Sequence, residues 1–580
     1  MTRIPGKDAP LEESISRMSE RLQQLGFEIE EARWLNPVPN VWSVHIRDQN
    51  CPMLFTNGKG ASREAALASA LGEFFERLSC NYFFADYFWG DALAEGEFVH
   101  YPNERWFEIK GDELPAGLLD EPSLRHYNMK GELTASMLVD TNSGNRARGI
   151  CAIPFERQNT KGQVWFPMNI IGNLYVSNGM AAGNTKWEAR VQALSEIFER
   201  HIKNTIISSG ISLPTIPEMI VNRYPRIQAA IETLREHGFG VVVKDASLGG
   251  KFPLVNVTLL NPENGGCFAS FGAHPKFEVA LERTVTELLQ GRALDQLDVF
   301  PAPSFDIQDV ADQHNLETHF IDSSGVVAWD LLSDITDYEF TEWNIEGDTQ
   351  AEFDHLCKLI HKVDMDIYIS DYEHLGIYSC RIVVPGMSEI YPVEDLVWDN
   401  NASGLMVRER CLKLPELDET ACAELLDDLD DLDELAVDDQ QLIAEFVGIV
   451  SDPGTVWQTL RIGELKALLS LVTGDLESAL EGVEWTLHFG HMPDARMALY
   501  RCLYQCLSFE LDDERELSAY ESVLRLAHKD EVVNRSLKML SGEAVFDGLP
   551  CDDGSLKEFV NHGRLLAAYQ SLQNAKATAL

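Results

Sequence analysis

The chain has 580 residues, long enough for several domains and a large buried core. Its content of 45% apolar, 9% aromatic and 24% charged residues is that of a folded globular protein and excludes disordered, collagen-like and low-complexity classes. With 93 acidic against 47 basic residues the formal charge is −46, which argues against nucleic acid and anionic membrane as partners and favours a basic protein.

The opening MTRIPGKDAPLEES carries no apolar run, and nowhere does the chain reach about twenty uninterrupted apolar residues. Neither a secretory leader nor a membrane span is expected, and the cytoplasm is the expected compartment. From about residue 40 to 395, strand-like runs such as VWSVHI, LVNVTLL and IYSCRIVV alternate with helical patterns, which predicts an α/β or α+β domain. Between Glu416 and Asp439 the chain places twelve Asp or Glu and no Lys or Arg, with Leu426, Leu429, Leu432 and Leu435 at three-residue steps. This reads as an exposed acidic helix or linker. Beyond it, LRIGELKALLSLV, Gly474-Asp475 and LESALEGVEWTLHF begin an all-α region of tetratricopeptide-like hairpins without a clean 34-residue period. The expected domains are 1–410, 411–440 and 441–580, with a homodimer formed through the apolar faces of the last. Eleven scattered cysteines without C-x2-C spacing read as reduced thiols, not as a disulfide framework, a zinc site or an iron–sulfur site.

Within the first domain a strand-like run leads three times through a glycine-bearing loop into a helix: Met53 to Arg77, Asn173 to Arg200 and Cys267 to Arg292. Aligning Glu73, Glu196 and Glu287 brings Glu76, Glu199 and Gln290 into register. A helix turns about 100° per residue, so Ser69, Glu73 and Glu76 share one face while Leu67, Leu71, Phe74, Phe75 and Leu78 take the other. The same projection aligns Glu188, Gln192, Glu196 and Glu199 on the second helix, and Arg283, Glu287 and Gln290 on the third. A single Glu-x-x-Glu-Arg also fits a solvated face with a local ion pair. The small residues Ala65, Ala66, Ala70 and Gly72 around Glu73, however, permit close approach by a helix or ligand. If the first two helices face each other, four carboxylates converge, and they cannot all stay ionised without cations. Magnesium, which favours carboxylate, water and phosphate oxygens, would suit them, with Arg200 and Arg283 suggesting a phosphate partner. No G-x4-G-K-[ST] loop or G-x-G-x-x-G after a strand is present.

These residues resemble the YcaO family. Its S-x3-E-x2-E-R pattern stands as Ser69, Glu73, Glu76 and Arg77, and its E-x3-Q pattern as Glu188 and Gln192, followed by Glu196, Glu199 and Arg200. The resemblance runs over essentially the whole chain, from IPGKDAPLEESI to the helical C-terminal region. It implies a YcaO-type α/β domain that binds ATP and Mg²⁺ and activates a backbone amide or related carbonyl by phosphorylating its oxygen. Carried over by position, Glu73, Glu76, Glu196 and Glu199 hold magnesium, and Lys7, Arg200 and Arg283 contact phosphate as the catalytic set, with Ser14 beside Lys7. Ser69 belongs to the same pattern, and Asn184, Glu188 and Gln192 approach the nucleoside or complete the carboxylate network.

Azoline-forming members carry a proline-rich tail, whereas the last proline here is Pro550, so azoline formation is not expected. A bacterial member is associated with β-methylthiolation of an aspartate in a small-subunit ribosomal protein. The resemblance implies the same accessory role for this chain, with that ribosomal protein and a radical methylthiotransferase as partners. Two other readings stay open: a nucleotide-binding adaptor that docks a partner through its C-terminal helices without turnover, and a scaffold whose acids pair only with arginines.

Overall fold

The computed structural model describes residues 2–433, 438–552 and 554–579. Helix α1 (Leu11–Leu25) ends at Gly26 in a left-handed conformation and precedes an antiparallel sheet of β1 (Ile29–Val38), β2 (Val41–Asp48) and β3 (Phe55–Gly60). Helix α2 (Arg63–Ser79), capped by the Ser62 side chain on the Ala65 N–H, buries Leu71, Phe74, Phe75 and Leu78 in one core with Leu22 and Phe27. The next strands are β4 (Arg105–Phe107), β5 (Ile150–Arg157), β6 (Gln163–Pro167) and β7 (Met180–Gly183). The long helix α3 (Lys186–Ser209) follows, capped by Thr185 on the Glu188 N–H.

A second antiparallel sheet, β8 (Gly240–Asp245), β9 (Leu254–Leu260) and β10 (Cys267–Ala273), leads into α4 (Phe277–Leu288). After α5 (Thr349–His361), strands β11 (Tyr368–Tyr372) and β12 (Tyr378–Val383) complete a sheet of order β4-β5-β11-β12-β7, with β6 paired to β5. The paired strands run antiparallel, so the mixed α/β domain is of the α+β kind.

The three anticipated units are β3–α2, β7–α3 and β10–α4. In each a strand glycine seats the following helix. A Cβ at Gly58 would lie 2.0 Å from the Ala66 carbonyl oxygen, one at Gly183 2.7 Å from the Ala189 nitrogen, and one at Gly272 2.8 Å from the Ala280 carbonyl oxygen. Any side chain there would lift the helix off its strand. The second unit departs from its sequence pattern: the run read as a strand opens with a π-helical turn, Ile171–Tyr175, and only Met180–Gly183 is extended.

Of the two forms expected of the acidic run, an exposed helix or a linker, the structure has a helix, and one that is not fully exposed. The run forms α6 (Glu419–Asp433), which buries Cys422, Leu425, Leu429 and Leu432 in the C-terminal core. Recurrence at three and four residues brings these side chains onto one stripe and turns the acids outward. Leu435 lies outside the described residues. Five longer helices follow: α7 (Ile462–Thr473), α8 (Leu476–Phe489), α9 (Asp494–Glu510), α10 (Leu517–Ala527) and α11 (Asp530–Leu540). Then α12 (Val560–Thr578) returns to the first domain and buries Leu565, Tyr569 and Leu572 in the core that holds Phe74 and Phe75. Among the described residues no helix is long and apolar enough to cross a membrane, and the cysteines are free thiols, buried except for half-buried Cys551.

Candidate functional site

A cavity of about 740 Å³ opens between α1, α2, α3 and α4, within the range of small-molecule sites. All twelve site residues read from the sequence line it: Lys7 and Ser14 from the N-terminal segment, Ser69, Glu73 and Glu76 from α2, Asn184 ahead of α3, Glu188, Gln192, Glu196, Glu199 and Arg200 along α3, and Arg283 from α4. The polar face of each helix is turned inward because its apolar face is taken by the core.

One wall is a network tied to the N-terminus. Lys7 Nζ lies 3.3 Å from Glu188 Oε1, the Asp8 N–H donates to Glu188 Oε2 at 2.8 Å, and Asn184 Nδ2 donates to the same carboxylate at 2.9 Å. Ser14 Oγ and Arg17 Nη2 both donate to Asn184 Oδ1, at 2.8 and 3.0 Å. Burial alone would raise the Glu188 carboxyl, but Lys7, the Asp8 N–H and Asn184 outweigh it and hold it below the usual carboxylate range.

The facing acids are arranged differently. Arg77 Nη2 lies 2.5 Å from Glu73 Oε1 and Arg200 Nη1 2.9 Å from Glu196 Oε1. Arg283 spans to the neighbouring acid and amide, with Nη1 donating to Gln192 Oε1 at 2.6 Å and Nη2 3.8 Å from Glu199 Oε2. Burial first, then the charges of Glu196 and Glu73, push the Glu76 carboxyl well above its ordinary range. Glu196 is raised as well, by burial foremost, with Arg200 opposing and Glu199 adding.

The four carboxylates expected to converge all line this one cavity. Among the described residues no three His, Cys, Asp or Glu side chains close to metal-binding distance. Like charges in a half-buried space repel, and Glu73, Glu196 and Glu199 turn to guanidinium groups rather than to one another. Carboxylates spread over two helices, with guanidinium groups beside them, match the oxygen-only preference of Mg²⁺, which keeps waters and takes phosphate oxygens alongside one or two carboxylates. The donor set thus fits a metal–phosphate complex better than a cage of protein ligands.

Sequence reasoning missed Lys59, Arg17 and His274, which line the same cavity. Lys59 pairs with Glu287 of α4, and burial brings its ammonium down to about 8 against the pull of Glu199. The signal was the two-residue period of β3: Thr56, Gly58 and Gly60 point inward while Asn57 and Lys59 stand on the open face. His274 is held well below the ordinary imidazole range by burial, with Arg283 and Lys7 adding.

Residues 57–388 match the family described as YcaO cyclodehydratase, ATP- and Mg²⁺-binding, and residues 404–578 match the YcaO cyclodehydratase C-terminal domain. The chain belongs to the YcaO family. As a member it binds ATP and Mg²⁺. It is 54% identical over 579 residues, 99% of each chain, to an Escherichia coli protein named ribosomal protein S12 methylthiotransferase accessory factor YcaO. Among solved structures it is similar to a heterocyclase in complex with substrate and cofactor, at 17% identity and a TM-score of 0.41, over 65% of this chain and 54% of that one. It is also similar to YcaO from Methanopyrus kandleri bound with AMPPCP and Mg²⁺, at 18% identity and a TM-score of 0.38, over 66% of this chain and 92% of that one.

The raised carboxyl of this YcaO protein has a measurable sign. A Glu76 that holds its proton when folded and loses it when unfolded makes stability decline as pH rises from the ordinary carboxylate range towards the raised value. Glu76→Gln removes that penalty. In nucleotide-free protein it is expected to melt about 2 °C above the unsubstituted protein at pH 8, with the difference vanishing near pH 5; melting curves across this range check it.

Proposed function

We propose that the cavity is a Mg²⁺-ATP site and that the protein uses it to activate a backbone amide or related carbonyl by phosphoryl transfer. In this reading Glu73, Glu76, Glu196 and Glu199 hold magnesium, and Lys7, Arg200 and Arg283 meet phosphate oxygens. Ser14 and Ser69 border the phosphates, while Asn184, Glu188 and Gln192 approach the nucleoside and brace the carboxylate network. The observation that carries it is the meeting of two acid-bearing helix faces in one cavity, where Arg77 and Arg200 pair with acids of their own helices and Arg283 of α4 reaches Glu199. Bound nucleotide supplies the phosphoryl group. The chain's part is positioning and charge neutralisation, which is what phosphoryl transfer asks of a protein.

The name of the Escherichia coli relative supports a physiological setting. We read the protein as an accessory factor in β-methylthiolation of an aspartate of a small-subunit ribosomal protein, acting with a radical methylthiotransferase. The formal charge of −46 suits a basic ribosomal substrate, and a cytoplasmic location follows from the same reading. The C-terminal helices are read as tetratricopeptide-like docking hairpins, since α7 and α8 turn about left-handed Gly474 and pack closely where Gly482 meets Ala467.

Calorimetry with ATP and Mg²⁺ tests the site. Glu73→Gln and Glu199→Gln are expected to weaken binding by about 10- to 100-fold, the cost of one charge-assisted contact. Unchanged heats would reject the metal assignment, and binding without phosphate release in the presence of ribosomal-protein extract would favour the adaptor reading. The homodimer is read onto the exposed apolar residues of the C-terminal helices, Leu526 (88% exposed) and Val523 (57%) among them. It predicts twice the chain mass in solution at micromolar protein, and a sharp monomer mass removes it.

A further inference from the structure

Behind the large cavity lies a smaller one of about 30 Å³ that no step above uses, with Arg381 in its lining. Arg381, on β12, is 3% exposed. Its Nη2 donates to the Val176 carbonyl at 2.8 Å and touches the Met180 thioether, while Nε and Nη1 have no hydrogen-bond partner. Among the described residues no carboxylate lies within ion-pairing distance of it. Asn81 Nδ2, in the same lining, is also unpartnered, its Oδ1 being taken by Lys576. Buried polar groups are nearly always bonded, and an unpaired buried charge is strongly destabilising.

The backbone at this place is unusual in a way that points the same direction. Val176 has φ +47° and ψ −115°, a conformation a β-branched residue adopts only under strain. It directly follows the π-helical turn Ile171–Tyr175. Such strain persists only where the surroundings enforce it, and π-turns recur at functional positions. Here both are braced by asparagines: Asn169 Nδ2 donates to Asn400 Oδ1 at 3.0 Å, Asn173 Nδ2 to Asn401 Oδ1 at 3.1 Å, and the Asn401 N–H to Asn173 Oδ1 at 2.9 Å. The result aims the Val176 carbonyl at Arg381 and fixes the guanidinium in the lining.

We propose that this cavity is a carboxylate-binding subsite for the polypeptide whose amide is activated in the neighbouring cavity, with Arg381 as its anchor. The unpartnered Nε and Nη1 of Arg381 and the Asn81 amide Nδ2 ask for a group that only accepts. The cavity's volume has room for about two water-sized groups, matching the two oxygens of a carboxylate and too small for the four of a phosphate. Two carboxylates share the lining without filling that role. Asp140 is committed to His100 Nε2 and to the Ser143 N–H and hydroxyl, and Asp86 stands at the exposed rim. The subsites adjoin. Tyr82, in the small lining, lies under the guanidinium of Arg77 at 5.1 Å, and Arg77 together with Ser177, the residue after Val176, lines the large cavity. A polypeptide side chain anchored on Arg381 would therefore hold its own backbone beside the nucleotide cavity. That the anchored polypeptide is the one whose amide is activated rests on the nucleotide reading above; the carboxylate subsite itself does not.

The test uses the full chain without nucleotide and ligand-observed NMR titration of N-acetyl-aspartate amide, N-acetyl-asparagine amide and acetate. The capped aspartate is expected to bind at least about tenfold more tightly than its amide counterpart. Arg381→Met should abolish that preference and Arg381→Lys retain part of it. Equal binding of acid and amide to the unsubstituted protein overturns the assignment whether or not the variants fold, and so does a preference that survives in Arg381→Met. Acetate binding as tightly as the capped residue overturns the polypeptide source. Calorimetry with Mg²⁺-ATP on the same samples reports separately on the nucleotide site, so failure of one reading is not failure of the other.

Discussion

Carboxylates of like charge held close in a half-buried space are the constraint on which this structure turns. Glu73 and Glu76 on one helix and Glu196 and Glu199 on another would destabilise the fold if left facing one another ionised and unpaired. The protein answers with guanidinium groups at 2.5 and 2.9 Å and with carboxyls at Glu76 and Glu196 that resist ionisation. The same repulsion is latent affinity. Any divalent cation entering the cavity stabilises carboxylate forms that burial and like charge disfavour, and displaced guanidiniums would become available to the anion that arrives with it.

Much of this was legible in the chain because it rests on short periods. The 3.6-residue repeat placed Glu73 and Glu76 opposite Phe74 and Phe75, and recurrence of the strand–loop–helix pattern brought Glu196, Glu199 and Arg283 to one centre. The role of the strand glycines was not legible, since Gly58 and Gly272 matter through how closely a helix backbone approaches their strand, and that is settled by tertiary packing. The acidic run is a helix, one of the two forms expected of it, but its charge density masked a buried stripe of Cys422, Leu425, Leu429 and Leu432 at three- and four-residue steps. The π-turn before Val176 was read as a strand because NLYV has strand-like composition. The contact between Lys7 and Glu188 joins residues 181 positions apart in the chain, and no local pattern announces such a closure; family resemblance alone drew Lys7 into the site.

The helical region is not an appendage. Its last helix reaches back so that the Tyr569 hydroxyl donates to the Val99 carbonyl at 2.6 Å and Lys576 Nζ donates to Asn81 Oδ1 and the His100 carbonyl at 2.6 and 2.8 Å. Burial lowers that ammonium to about 7. Asn81 and His100 line the small cavity, so the docking of α12 fixes part of the wall against which Arg381 works. A disturbance among the C-terminal helices has a direct physical route to the first domain through these three hydrogen bonds.

Acids from both α2 and α3 are proposed to surround one nucleotide-linked divalent cation. Substituting Fe²⁺ for Mg²⁺ in the presence of ATP, ascorbate and peroxide, and mapping the backbone cuts by mass spectrometry, addresses this arrangement directly. Cuts that need ATP are expected in two places, around Glu73–Arg77 and around Glu196–Arg200. Cuts confined to one helix, or lying outside both, would contradict it.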